Sequence, residues 1–183
     1  MMLTKLLNSK YIDVVVGSSA VIVSCVLLRL LPHPPNFTPV IALGLFSVVT
    51  IQNKKFAFIL PIVVMGLSDL IIGFHSLMMG VYLAVAVSSC VGLWLKHNMS
   101  IKNIIGSSCV SATIFFIISN SAVWAISSMY EKSIIGLIEC FIMALPFFHN
   151  SLISTVVYSG AMYLYLAVCY NVRVGNVSFN RAK

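Results

Sequence analysis

The chain alternates long apolar runs with short polar connections. Apolar runs occupy about 11–31, 38–51, 56–74, 77–95, 104–128, 134–148 and 152–170. A helix needs ~20 residues to cross ~30 Å of hydrocarbon. Most of the runs meet that length. The runs at 38–51 and 134–148 are shorter, and cross only with tilt or local thinning of the bilayer. Between the first two runs lies RLLPHPPNFTPV, Arg29 to Val40. Its prolines at 32, 34, 35 and 39 restrict φ and bias their neighbours to extended backbone, so a stiff loop is expected there.

Composition turns this pattern into a class. Of 183 residues, 60% are hydrophobic and 8% charged, and the mean hydropathy is +1.05. Soluble domains carry about a quarter charged residues. A water-soluble fold would leave too much apolar surface exposed, so the expected class is an all-α, polytopic membrane helical bundle, a single domain over 1–183. The N-terminal run is too long for the apolar core of a signal peptide, and no A-x-A site follows it, so it reads as a retained span.

The net charge of +7 does not point to nucleic acid. The basic residues lie mostly in connections and tails, where they report orientation. Lys5 and Lys10 precede the first run, Lys54 and Lys55 follow the second, Lys96 and Lys102 follow the fourth, and Arg173, Arg181 and Lys183 follow the last. The connections near 33–37 and 74–76 have no Lys or Arg, and 129–133 holds only Glu131 with Lys132. This alternation predicts six spans with both termini in the cytoplasm of a bacterial inner membrane. The 134–148 run is then a short, non-spanning helix on the outer side. Pro146 is expected to halt it. A seven-span arrangement is the alternative.

With that topology the costly polar residues gather in the outer half. Intramembrane ionisable groups are expensive unless paired or hydrated, so they face a bundle interior or a cavity. An outward-open pocket is expected, with His33, Asn36 and Phe37 as lid contacts and Asp69, Asn120, Trp124, Glu139 and Asn150 as lining. Each has a plainer reading. Arg29 either snorkels to headgroups or pairs with Asp69. Asp69 can be a structural hydrogen-bonded group, Asn120 interhelical glue, Trp124 an interfacial anchor, and Glu139 a headgroup neighbour of Lys132. Asp69 and His75 share a metal only with a third ligand from elsewhere. The five cysteines all sit inside apolar runs without a CxxC pair, which suits small buried hydrophobes better than disulfides or zinc. Ala20-xxx-Ser24 on the first run is spaced for close contact with a partner helix. No phosphate-binding loop, H-E-x-x-H or G-x-S-x-G occurs, and no cofactor is implied.

The motifs PHPPNFTP, LSDLIIGFH and PFFHN, with SNSAVW between them, resemble a family of small, uncharacterised bacterial membrane proteins often labelled transport proteins. Members of that family carry Gly-Asp before the last helix; here the matching stretch is NSLIST, without the carboxylate. More distantly the layout resembles the substrate-binding S-components of energy-coupling-factor vitamin transporters. That resemblance implies six helices, a first loop covering the ligand, a short second helix, and docking on a membrane subunit energised by ATPases. The leading expectation is therefore a subunit that binds a small-molecule solute for uptake, without enzymatic activity of its own. The alternatives are a membrane-embedded enzyme using Asp69 with His75 or His33, and a ligand-free structural subunit.

Overall fold

In the computed structural model the backbone is described over residues 9–170 and the side chains over 20–167. The described residues are all helix and connection, without strands. Helix α1 runs Ser9–Leu30, α2 Val40–Thr50, α3 Lys54–Ile72, α4 Met78–Ser89, α5 Val91–Leu95, α6 Ile101–Ile126 and α7 Ile134–Tyr170. Helix α5 continues α4 after a break at Cys90. Four stretches are long and apolar enough to cross a membrane: α3, α4 with α5, α6, and Ile134–Ala167 of α7. Large apolar side chains such as Ile71, Phe74, Met79, Ile134 and Met143 face outward. A surface of this kind suits lipid, as expected of a helical membrane bundle. Lys5, Arg173, Arg181 and Lys183 lie outside the described residues, as does the side chain of Lys10, so the orientation they imply rests on sequence.

Helix starts follow local chemistry. Asn53 caps α3, its side chain accepting from the Lys55 amide at 3.0 Å, and Ser100 caps α6, accepting from the Asn103 amide at 3.2 Å. Gly73 ends α3 with a φ of 106°, which L side chains rarely adopt.

Two sequence expectations are corrected here. The run 134–148 is not a separate element, and Pro146 does not stop a helix: α7 is continuous for 37 residues, with Pro146 inside it. Proline removes one N–H and crowds the preceding turn. Pro146 is exposed on the apolar outer surface of α7, and in hydrocarbon no water competes for the backbone groups that remain paired around it. The first half of α7 lies along the second half of α6. Phe141 and Phe148 flank Phe116, with ring centroids 5.4 and 4.6 Å away, and the Cys140 thiol meets the Asn120 carbonyl at 3.5 Å. At 1.5 Å per residue α7 is ~55 Å long, so part of it tilts or projects beyond the hydrocarbon layer.

Helix α2 is the centre of the bundle. Every residue from Val40 to Val49 is buried. Its 11 residues rise only ~16 Å. Leu45, Phe46 and Val49 pack on Leu95, Ile104 and Leu166 near one end of the bundle. Val40 and Ile41 pack on Met65, Val85 and Phe115, part-way along α3, α4 and α6. The central column is therefore filled by helix at one end only. The connection from Leu31 to Pro39 closes the other end.

Close packing depends on small residues. Gly80, Ala84 and Ser88 form one stripe of α4 facing α6; a Cβ on Gly80 would lie 2.4 Å from Ala122 Cβ, and Ser111 donates to the Ser88 carbonyl at 3.1 Å. Ser47 of α2 donates to the Ala57 carbonyl of α3 at 2.7 Å. Hydrogen bonds and close backbone approach replace the hydrophobic effect as the glue between membrane helices.

This packing generates a paired test. A Cβ on Gly92 would fall 2.5 Å from the Leu45 carbonyl oxygen, whereas one on the exposed Gly106 meets nothing within 4 Å. Gly92→Ala should cost about 1–3 kcal/mol by overpacking, while Gly106→Ala should leave stability unchanged or raise it by up to about 1 kcal/mol. Thermal unfolding of the detergent-solubilised variants compares the two.

Candidate functional site

One buried carboxylate organises the open end of the column. Asp69, near the C-terminal end of α3, is 1% exposed. Its Oδ1 lies 2.6 Å from Nη1 of Arg29, on the last turn of α1. The contact is an ion pair without hydrogen-bond alignment, since Oδ1 accepts no aligned hydrogen bond among the described residues. Its Oδ2 accepts from the Tyr82 hydroxyl of α4 at 2.7 Å. Arg29 Nη1 also donates to the Met65 carbonyl at 3.0 Å and to the Ser68 hydroxyl. Helices α1, α3 and α4 are thus tied at one level. Of the two sequence readings of Arg29, pairing is the observed one.

Beside this pair lies a cavity of about 380 Å³. Its polar lining is Arg29, His33, Asn36 and Thr38. Its apolar wall is made chiefly by Val40, Ile41, Met65, Val81, Val85 and Phe115. The α2 residues of that wall are the top of the half-length central helix, so the cavity occupies the part of the column that α2 does not fill.

The loop over the cavity is built by its own sequence. Pro34 to Phe37 form a turn closed by the Phe37 amide to the Pro34 carbonyl at 2.9 Å. Asn36 has a φ of 63°. Proline second and a positive-φ residue third is the pattern of a type II turn, and asparagine is among the few side chains that tolerate the left-handed region. Helix α7 pins this turn. Asn150 Nδ2 donates to the Pro35 carbonyl at 3.0 Å, the Ser154 hydroxyl donates to the Asn36 carbonyl at 3.4 Å, and Phe37 meets the Tyr158 ring edge-on at 6.0 Å. Both His33 ring nitrogens lie against carbonyl oxygens, Pro34 at 2.8 Å from Nδ1 and Arg29 at 3.1 Å from Nε2, and a neutral ring donates to one of the two.

The other sequence candidates fall elsewhere. Phe37 packs on Tyr158 rather than lining the cavity, and Asp69 sits behind Arg29. Asn150 anchors the loop from α7. Asn120 donates to the Phe116 carbonyl of its own helix at 2.8 Å. Trp124 Nε1 donates to the Glu131 carbonyl at 2.9 Å, and Lys132 reaches back to the Trp124 and Ser127 carbonyls. These three residues secure the α6–α7 connection. Glu139 is exposed on α7, away from the cavity because the continuous helix carries it past. Ala20 and Ser24 are exposed on α1. Neither His33 nor His75 is hydrogen-bonded to Asp69. Among the described residues no three His, Cys, Asp or Glu side chains converge as metal ligands. Tyr82, Ser68, Thr38 and the apolar wall escaped the sequence reading. The spacing Arg29, Asp69, Tyr82 carries no motif, although Ser68 is the immediate neighbour of Asp69.

The arrangement is a membrane helical bundle with a small amphipathic cavity roofed by a stiff loop, its arginine backed by a buried carboxylate. The chain belongs to the family described as "Family of unknown function (DUF6580)", whose profile matches residues 10–176. No curated protein and no solved structure matches it, so the likeness to S-components rests on the sequence motifs alone.

Two outcomes follow from the site's construction. Arg29→Gln strands the Asp69 carboxylate and should cost about 3–5 kcal/mol, whereas the double variant R29Q/D69N should recover most of that loss; thermal unfolding measures both. Asn36→Val should cost about 1–2 kcal/mol at the left-handed position, with Asn36→Gly tolerated, read as unfolding temperature and as protease sensitivity of the 31–39 loop.

Proposed function

We propose that this protein is the solute-binding membrane subunit of a small-molecule uptake transporter, in which the cavity beneath the Leu31–Pro39 loop receives the solute. The observation that carries this reading is the cavity itself. Its volume of about 380 Å³ lies in the range of small-molecule sites, which combine an apolar wall with a few placed polar groups. A loop already set by prolines and by a pinned turn loses little entropy in closing over a ligand.

Six crossings with both termini cytoplasmic go with this function. Lys54, Lys55, Lys96 and Lys102 sit at the bundle end opposite the cavity, and the positive-inside tendency then directs the cavity outward. The resemblance to S-components supports a partner membrane subunit with ATPases as the source of energy for release inward. The enzyme reading gains nothing from the geometry. Asp69 is occupied by Arg29 and Tyr82, and His33 by two carbonyls.

The test is native co-purification. Protein taken from its own membranes should carry a small molecule at near-stoichiometric amounts, identified by mass spectrometry, together with any energising subunit. Val81→Trp, which fills the cavity from α4, should empty it without changing the helical content. An equal yield of the molecule from the Val81→Trp variant, or no enriched molecule from wild type, would overturn the proposal.

A further inference from the structure

Accepting the solute-binding reading above, we infer that the cavity selects a small organic monoanion: an apolar body with a carboxylate-like head held on the free edge of Arg29. The contacts of Arg29 define that edge. Its bonds to Met65 and Ser68 and its ion pair with Asp69 are all made through Nη1. Guanidinium carries five N–H donors in a planar fork. The donors on Nη2 and Nε have no hydrogen-bond partner among the described residues, and Arg29 lines the cavity. A planar, two-oxygen anion is the ligand that such a fork recognises bidentately.

Position decides the sign of the charge. Asp69 is not among the lining residues; it lies behind Arg29, buried, with its second oxygen taken by Tyr82. A ligand entering from the loop side meets the cation first. An ammonium head would face Arg29 with no exposed carboxylate to receive it. The same pairing limits the ligand's charge to one, because Asp69 already offsets part of the Arg29 charge. The apolar wall of Val40, Ile41, Met65, Val81, Val85 and Phe115 has no side-chain donor or acceptor, so the remainder of the ligand is hydrocarbon-like. Asn36 and Thr38 at the rim can serve one further polar group.

Asp69 therefore competes with the ligand for Arg29. Removing its charge should strengthen anion binding, the reverse of what a cation site would show. The experiment uses the full chain in lipid nanodiscs and three probes of one shape: 3-phenylpropionate, 3-phenylpropylamine and 3-phenylpropan-1-ol, titrated by calorimetry. Wild type should bind the carboxylate in preference to the other two. Asp69→Asn should bind it on the order of tenfold more tightly, as expected when a nearby opposing charge is removed at an effective dielectric of about 20. R29Q/D69N, which keeps the buried site electrically balanced, should no longer distinguish carboxylate from alcohol. Preference for the amine, equal binding of the alcohol by wild type, or weaker carboxylate binding by Asp69→Asn would overturn the monoanion inference while leaving a solute site in place. Binding of none of the three at millimolar concentration would overturn the monoanion inference, while the solute-binding reading is decided separately by the native co-purification.

Discussion

The structure turns on a helix that is too short. Helix α2 is buried on all sides, as the core of a bundle must be, yet it covers only about half of a bilayer's hydrocarbon thickness. Its neighbours are longer, so the column it occupies is incomplete. A polypeptide cannot leave exposed backbone in that space, because unsatisfied amides and carbonyls in an apolar medium cost several kcal/mol each. The connection from Leu31 to Pro39 meets this constraint with a composition suited to it. Four prolines lack amide hydrogens, and the Pro35 and Asn36 carbonyls that remain are bonded to Asn150 and Ser154 of α7. What the loop and α2 together do not fill is the cavity.

The same geometry explains why a charged pair is tolerated so deep. Asp69 alone would be prohibitive among Val64, Met65 and the α4 wall. With Arg29 and the Tyr82 hydroxyl its charge is met on both oxygens, and Arg29 spreads its own charge over a carbonyl and a hydroxyl as well. The net stabilisation of such a pair is small, because desolvation consumes most of the attraction. Its value lies in geometry: it ties the α1, α3 and α4 ends together and leaves Arg29 in the lining of a chamber whose wall is mostly apolar.

Helix α7 contributes rigidity from a distance. Its continuity through Pro146 places Phe148 against α6 and Asn150, Ser154 and Tyr158 against the loop on one frame. A break at Pro146 would have separated the part of the chain that packs on Asn120 from the part that holds the turn. The chain instead uses one element for both tasks, and Glu139 ends on its outer surface as a consequence.

Much of this was legible in sequence, for reasons that are local. Hydrophobic run lengths reveal helices because hydrocarbon solvates only helices with satisfied backbones, and the prolines with Asn36 encode a turn through φ alone. Those facts determined an all-helical membrane chain, a short second helix and a stiff polar loop at its head. Only the tertiary structure decided that Arg29 meets Asp69 rather than headgroups, that Tyr82 completes the pair, that Asn120 turns back onto its own helix, and that Trp124 serves the α6–α7 connection instead of the cavity. Sequence carries depth along a helix axis but not rotation about it relative to partners. Which residues converge on one point is set by how the helices pack.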